Sequence, residues 1–178
     1  MCYNVPKILK HRAWCKLFSK GDKIVYPLYG AGVIEEIEEK EIDGDMHTYY
    51  VVAICVLNLK IKVSSHRVDG IGIRAVCGKD RILSLIDSAN SRALPICDNW
   101  NQRYKENMEK IKTGNLQEVA LVYRSLLIRE RQRGLSSAEK KMLTTAKQII
   151  LSELILSYEI EKREAEEILL NTIHDHCS

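Results

Sequence analysis

A tryptophan stands among cations in Cys97-Asp98-Asn99-Trp100-Asn101-Gln102-Arg103-Tyr104-Lys105. The chain holds only two tryptophans and one phenylalanine in 178 residues, so a large flat ring beside Arg103 and Lys105 is informative. Further along, Arg129, Arg131 and Arg133 precede Gly134, and Lys140 and Lys141 follow it. Cations spaced in this way can neutralise several phosphates, with salt-sensitive and largely sequence-independent affinity. A flat ring beside them, projecting past a helix end, could insert at an unstacked base step, as wedges do in the minor groove. The same ring also heads a stripe, Trp100, Tyr104, Met108 and Ile111, at a spacing of about 3.6, and such stripes ordinarily pack into a core. Surface helices carry Lys and Arg for solubility alone, so the charge leaves both readings open.

Other chemistry is harder to build. There is no nucleophile elbow, no H-E-x-x-H, no Walker loop and no complete dinucleotide fingerprint, so the sequence points away from an enzyme. Gly30-Ala31-Gly32 lacks a third glycine and runs on into Val33-Ile34 as strand, which suits glycines at a bend of a small barrel rather than a phosphate cradle. The carboxylates between Glu35 and Glu41 have strand spacing and suit a solvated edge. The six cysteines, Cys2, Cys15, Cys55, Cys77, Cys97 and Cys177, form no C-x-x-C pair and read as reduced thiols. The terminal His174-Asp175-His176-Cys177 resembles a metal cluster, but no other ligands are spaced to close a zinc site, so neither metal nor cofactor is expected.

The elements that must position these residues are legible. From Phe18 to about Val68 the pattern is β: "DKIVYP", then "YGAGVIEEIEEKEI" with an imperfect alternation that suits a bent strand, a hairpin signal at Asp43-Gly44-Asp45, then "HTYYVVAICVL" and "NLKIKVS". After about Gly78 it turns helical: "DRILSLIDSA", a loop containing Pro95, a helix begun by Asp98 or Asn99 as N-cap and ended by Gly114, a third from about Leu116 to Gly134, a fourth opened by the Ser136–Glu139 capping-box spacing, and a final acidic helix from Tyr158 to His174. The fold class expected is α+β, strands first: a small, strongly curved sheet or barrel, then an all-helical domain. The divisions expected are 1–17 as an extension, 18–70 as the β module, 71–78 as connector and 79–174 as the helical module.

Charge is segregated along that order. Residues 18–70 carry six Lys/Arg against nine Asp/Glu, whereas residues 99–156 carry eleven against six. The helical module is therefore the one suited to an anionic partner. No apolar run approaches the roughly 18–20 residues of a membrane span, and the first residues show no secretory apolar region, so a cytoplasmic protein is expected.

Three stretches carry a family likeness. "FSKGDKIVYPLYGAGVIEEIEEKEIDG", "NWNQRYKENMEKIKTGN" and "RQRGLSSAEKKML" occur in the order, and over the span from about Phe18 to Tyr158, that resembles the CarD/CdnL family of bacterial RNA polymerase-binding transcription regulators. The resemblance implies a Tudor-like domain that docks on the polymerase β subunit of the sigma-containing holoenzyme. It also implies a helical domain that meets promoter DNA at the upstream edge of the −10 region and stabilises the open complex. It implies Trp100 as the residue set in the minor groove, with Arg103, Lys105 and Lys140 at matched DNA positions, and the basic segment adds Arg133 and Lys141. Lys40 and Lys62 match polymerase contacts; some members have arginine there, and lysine keeps the charge without the two-pronged fork. Gln102 falls where some relatives carry a basic residue. Members usually start near Phe18, so residues 1–17 are expected to reflect a misassigned start, with Leu17 the product of a TTG codon read internally.

Two further readings compete. One is an adaptor that docks on polymerase and uses its helices to recruit another protein without touching DNA, leaving Trp100 in the core. The β module also occurs in the transcription-repair coupling factor, so polymerase docking alone does not imply DNA contact. The other is a metal or redox sensor built on the cysteines.

Overall fold

A computed structural model describes residues 18–92 and 99–173. The extension at 1–17, the loop around Pro95 with Asp98, and the terminal histidine–cysteine cluster lie outside these residues. The fold is α+β with the strands first. Five antiparallel strands, β1 (Lys23–Tyr26), β2 (Gly30–Ile42), β3 (Asp45–Ile54), β4 (Leu59–Ser64) and β5 (Arg74–Ala75), form one sheet in the order β4-β3-β2-β1-β5. A short 3-10 turn, Ser65–Arg67, and a one-turn helix α1 (Val68–Ile71) lead into β5. The two-residue β5, within the expected connector, pairs Ile24 with Ala75 and Val25 with Arg74. A strand that short has no period to read.

The imperfect alternation of β2 is a bulge. The register with β3 slips between Ile34 and Glu36, leaving Glu35 as an extra residue. Ile34 and Ile37 are three apart, an odd spacing that would put them on opposite faces of a regular strand. The bulge returns both to the inner face, where both belong to the sheet's apolar cluster with Ile24, Tyr50, Val52 and Ile54. Glu36, Glu38 and Lys40 then face outward with Tyr49, Val51 and Lys62 of β3 and β4.

Five longer helices follow: α2 (Lys79–Ser91), α3 (Trp100–Lys112), α4 (Leu116–Arg133), α5 (Ser137–Tyr158) and α6 (Lys162–Thr172). Their apolar faces meet in a second core that includes Ile82, Ile111, Leu126, Ile150, Leu154 and Leu169. The chain between α5 and α6 breaks at Glu159, a left-handed residue with φ of 59° held by an ion pair to Lys23 at 2.6 Å. Neither proline nor glycine marks that break. The fourth helix therefore runs on to Tyr158, and the final helix is shorter than the Tyr158–His174 span expected.

The sheet and the helices are joined along α5. The glycines at 30 and 32 allow close approach rather than a free bend. A Cβ on Gly30 would lie 2.4 Å from Ser152 Oγ, and one on Gly32 would lie 2.4 Å from the Ala53 carbonyl oxygen. Ala31 N donates to Ser152 Oγ at 2.7 Å, which in turn donates to the Ile149 carbonyl at 2.7 Å. At the next residue of α5, Arg74 makes a two-pronged ion pair with the fully buried Glu153. Lys23 Nζ donates to the Leu156 carbonyl, and Ser157 Oγ to the Cys77 carbonyl. Each buried polar group in this seam therefore has a partner, as burial requires.

Candidate nucleic-acid interface

Asn99 begins α3 by accepting a hydrogen bond from Gln102 N at 3.2 Å, so the helix starts at the tryptophan itself. Trp100 is 42 % exposed. It stacks on Tyr104 one turn later, with ring centroids 5.5 Å apart and planes 22° from parallel. The i, i+4 stripe noted in the sequence is real, but its head lies outside the core. The lower members, Tyr104 and Met108, pack against the helical core, and Ile111 is within it. The adaptor reading's placement of Trp100 in the core is thus corrected: the first turn of the helix lifts the ring beyond the apolar contact.

Gly134 ends α4 with φ of 74°, and Ser136 caps α5. The expected capping box forms: Ser136 Oγ accepts from Glu139 N at 3.3 Å, and Glu139 Oε2 accepts from Ser136 N at 3.1 Å. Trp100 Nε1 donates to the same Ser136 Oγ at 3.2 Å. The sequence identified Ser136 and Glu139 as a cap and gave no sign that Ser136 also receives the tryptophan.

Arg103 differs from the outward cation expected of it. It is 7 % exposed, and its Nε and Nη2 donate to Glu139 Oε1 at 3.0 and 2.8 Å. Arg129 Nε approaches the same oxygen at 3.5 Å. Burial alone would push the Glu139 carboxyl up, but hydrogen bonds from Ser136 and Arg103 outweigh it and hold the group below the usual glutamate range. Arg124, another cation of the basic segment, is also buried.

Lys105, Arg133, Lys140 and Lys141 are exposed. Lys140 and Lys141 fall in the opening turns of α5, where the helix dipole favours anions. Lysines there add to a positive helix end instead of neutralising it, which serves an anionic partner better than it serves the helix. Between this end and the β1–β2 turn lies a groove of about 590 Å³, with Tyr29, Tyr104, Met108 and Lys141 among its lining residues.

Lys40 and Lys62 sit apart from this group, on the outer face of the sheet. Both converge on Glu38: Lys62 bonds to its carboxylate, and Lys40 Nζ lies 3.9 Å from it. The Lys62 hydrogen bond holds the Glu38 carboxyl below its ordinary range. Lys62 also lies 5.0 Å from the centre of the Tyr49 ring. It belongs to β4, an edge strand of the sheet.

Among the described residues no three His, Cys, Asp or Glu side chains gather as a metal site, and Cys55 and Cys77 are free thiols. Among the same residues no helix is long and apolar enough to cross a membrane.

Two family models match the chain. The CarD-like/TRCF RID domain matches residues 18–77, and the CarD C-terminal domain matches residues 84–170. The chain is also similar to the candidate transcription factor YdeB of Bacillus subtilis (strain 168). The two are 39 % identical over 142 residues, which cover 78 % of this chain and 90 % of that protein.

Proposed function

The chain belongs to the CarD family of transcription factors, and from that premise we propose that it docks on the RNA polymerase β subunit and stabilises the open promoter complex through DNA at the upstream edge of the −10 region. The observation that carries this reading is Trp100, a 42 % exposed ring at the first turn of α3. Its neighbours include a helix end that carries Lys140 and Lys141. In this reading Trp100 is the wedge that disfavours collapse of the bubble. Lys105, Arg133, Lys140 and Lys141 meet phosphates. Arg103 acts from behind, through Glu139.

The β module, net acidic and poorly suited to DNA, takes the polymerase. Its β4 edge offers a strand to another sheet, with Lys62 on that strand and Lys40 on the outer face two strands in. Tethering lets both contacts be weak alone, because docking raises the effective concentration of the second. A gain of about 1.4 kcal/mol, about tenfold in an equilibrium, is enough to matter at an unstable promoter.

The test is the lifetime of an open complex challenged with competitor, measured without factor, with the protein and with Trp100→Ala. Lengthening by the wild type, and much less by the folded variant, is the expected result. Equal lengthening by both would remove the wedge, and no lengthening by either would overturn the function.

A further inference from the structure

We infer that Ser136 is a positioning residue for Trp100, and that Glu139 and Arg103 hold Ser136 in place for that purpose; this rests on the wedge reading above. A hydroxyl offers one donor and two acceptor sites. Ser136 uses all three: it donates to Glu139 Oε2 at 2.8 Å, and accepts from Glu139 N at 3.3 Å and from Trp100 Nε1 at 3.2 Å. Its proton is committed to Glu139, so a lone pair stays aimed at the indole.

Glu139 is fixed in turn. It is 3 % exposed and takes Arg103 on its other oxygen. Arg103 lies one turn beyond Trp100 on the same helix. The path thus leaves α3 at the tryptophan, crosses to the cap of α5, and returns to α3 at the arginine. That closed circuit fixes the ends of two helices against each other.

The circuit matters because an exposed side chain on a frayed first turn is otherwise free to change rotamer, and ordering it on binding costs affinity. Tyr104 covers one face of the indole and Ser136 holds its N–H edge. The ring is therefore preset, and the area left open is what a base step would meet. A serine that only capped α5 would need neither the indole nor an aligned lone pair beyond the Glu139 amide.

The experiment uses the full chain in a Trp14→Phe background, which leaves Trp100 as the single tryptophan. Ser136→Ala, Ser136→Gly and Ser136→Thr are compared with the parent by Trp100 fluorescence anisotropy, acrylamide quenching and open-complex lifetime. Glycine is well tolerated at an N-cap, so it removes the hydroxyl while sparing the helix start. A second set carries Trp100→Phe, whose ring has no N–H. The glycine variant should lower anisotropy, raise quenching and shorten the lifetime about threefold to tenfold, the range set by one hydrogen bond. Threonine should restore all three readings. In the Trp100→Phe set, Ser136→Gly should shorten the lifetime no further.

Unchanged fluorescence in both Ser136→Gly and Ser136→Ala would overturn the inference. So would equal shortening with and without the indole N–H, which would confine Ser136 to capping. If Trp100→Ala matched the wild type in lifetime, the wedge reading would fall, and the fluorescence would still decide whether Ser136 holds the ring.

Discussion

Replacing Glu153 by glutamine should loosen the join between sheet and helices by a calculable amount. The carboxylate is fully buried and accepts three hydrogen bonds: Arg74 Nη1 at 2.6 Å, Arg74 Nη2 at 2.8 Å and Cys77 N at 2.9 Å. Glutamine keeps the shape but has one acceptor oxygen, so its amide nitrogen would meet a donor. Removing one partner of a buried pair costs about 3–5 kcal/mol. The Arg74 side chain keeps 28 % exposure, and water recovers part of the loss, so the lower end, about 3 kcal/mol, is expected. In urea, with a typical slope of about 2 kcal/mol per molar, the midpoint should fall by about 1.5 M with the slope unchanged. Arg74→Met with Glu153→Leu should regain only part of that stability, because the apolar pair has no charge to desolvate but leaves the Cys77 N–H without its acceptor. A Glu153→Gln midpoint within about 0.2 M of the parent, an effect no larger than that of a surface substitution, would refute the reasoning.

Acid should act through Glu139. Its carboxyl is held below the glutamate value of 4.5 in the folded chain, so its contribution is complete above the unfolded value and is lost as pH falls through the lowered one. Glu139→Gln should flatten the acid limb of a stability–pH curve, and an unaltered limb would contradict the assignment. Lys140→Ala and Lys141→Ala should each weaken DNA binding across sequences and each reduce the salt slope by about 1; an unchanged slope would remove that lysine from the interface. Gly30→Ala should cost at least about 2 kcal/mol in thermal or urea unfolding, because φ is +96° and the new methyl would lie 2.4 Å from Ser152 Oγ.

What could be read from the sequence was periodic or carried its own punctuation. Four strands, the hairpin at Asp43-Gly44-Asp45, the capping box and the starts of α3 and α4 were all expected, because each leaves a repeat or a cap in adjacent residues. The order of the family's three motifs led to the family itself. The rest depended on residues far apart in the chain. The two-residue β5 is defined only by pairing with β1. Gly30 and Gly32 read as bend glycines, while Gly30 makes room for a helix about 120 residues away and Gly32 for the Ala53 carbonyl of β3. Arg103 looked like an outward cation because its counter-ion, Glu139, lies 36 residues on. Trp100 was ambiguous for the same reason. A stripe tells which side of a helix is apolar, but not how far along the helix the core extends.

The length of α5 has a consequence for how such a chain can vary. This helix is clamped to the sheet by Ser152 and Glu153, and its cap, Ser136, meets the indole sixteen residues earlier. At 1.5 Å per residue that interval is a ruler of about 24 Å. A single inserted residue would lengthen it by about 1.5 Å and turn the tip by about 100°, carrying the cap off the tryptophan altogether. Loops on either side can drift in length, as surface loops do. The span between Ser136 and Ser152 cannot, so insertions and deletions should be excluded from it more strictly than from any loop of the molecule.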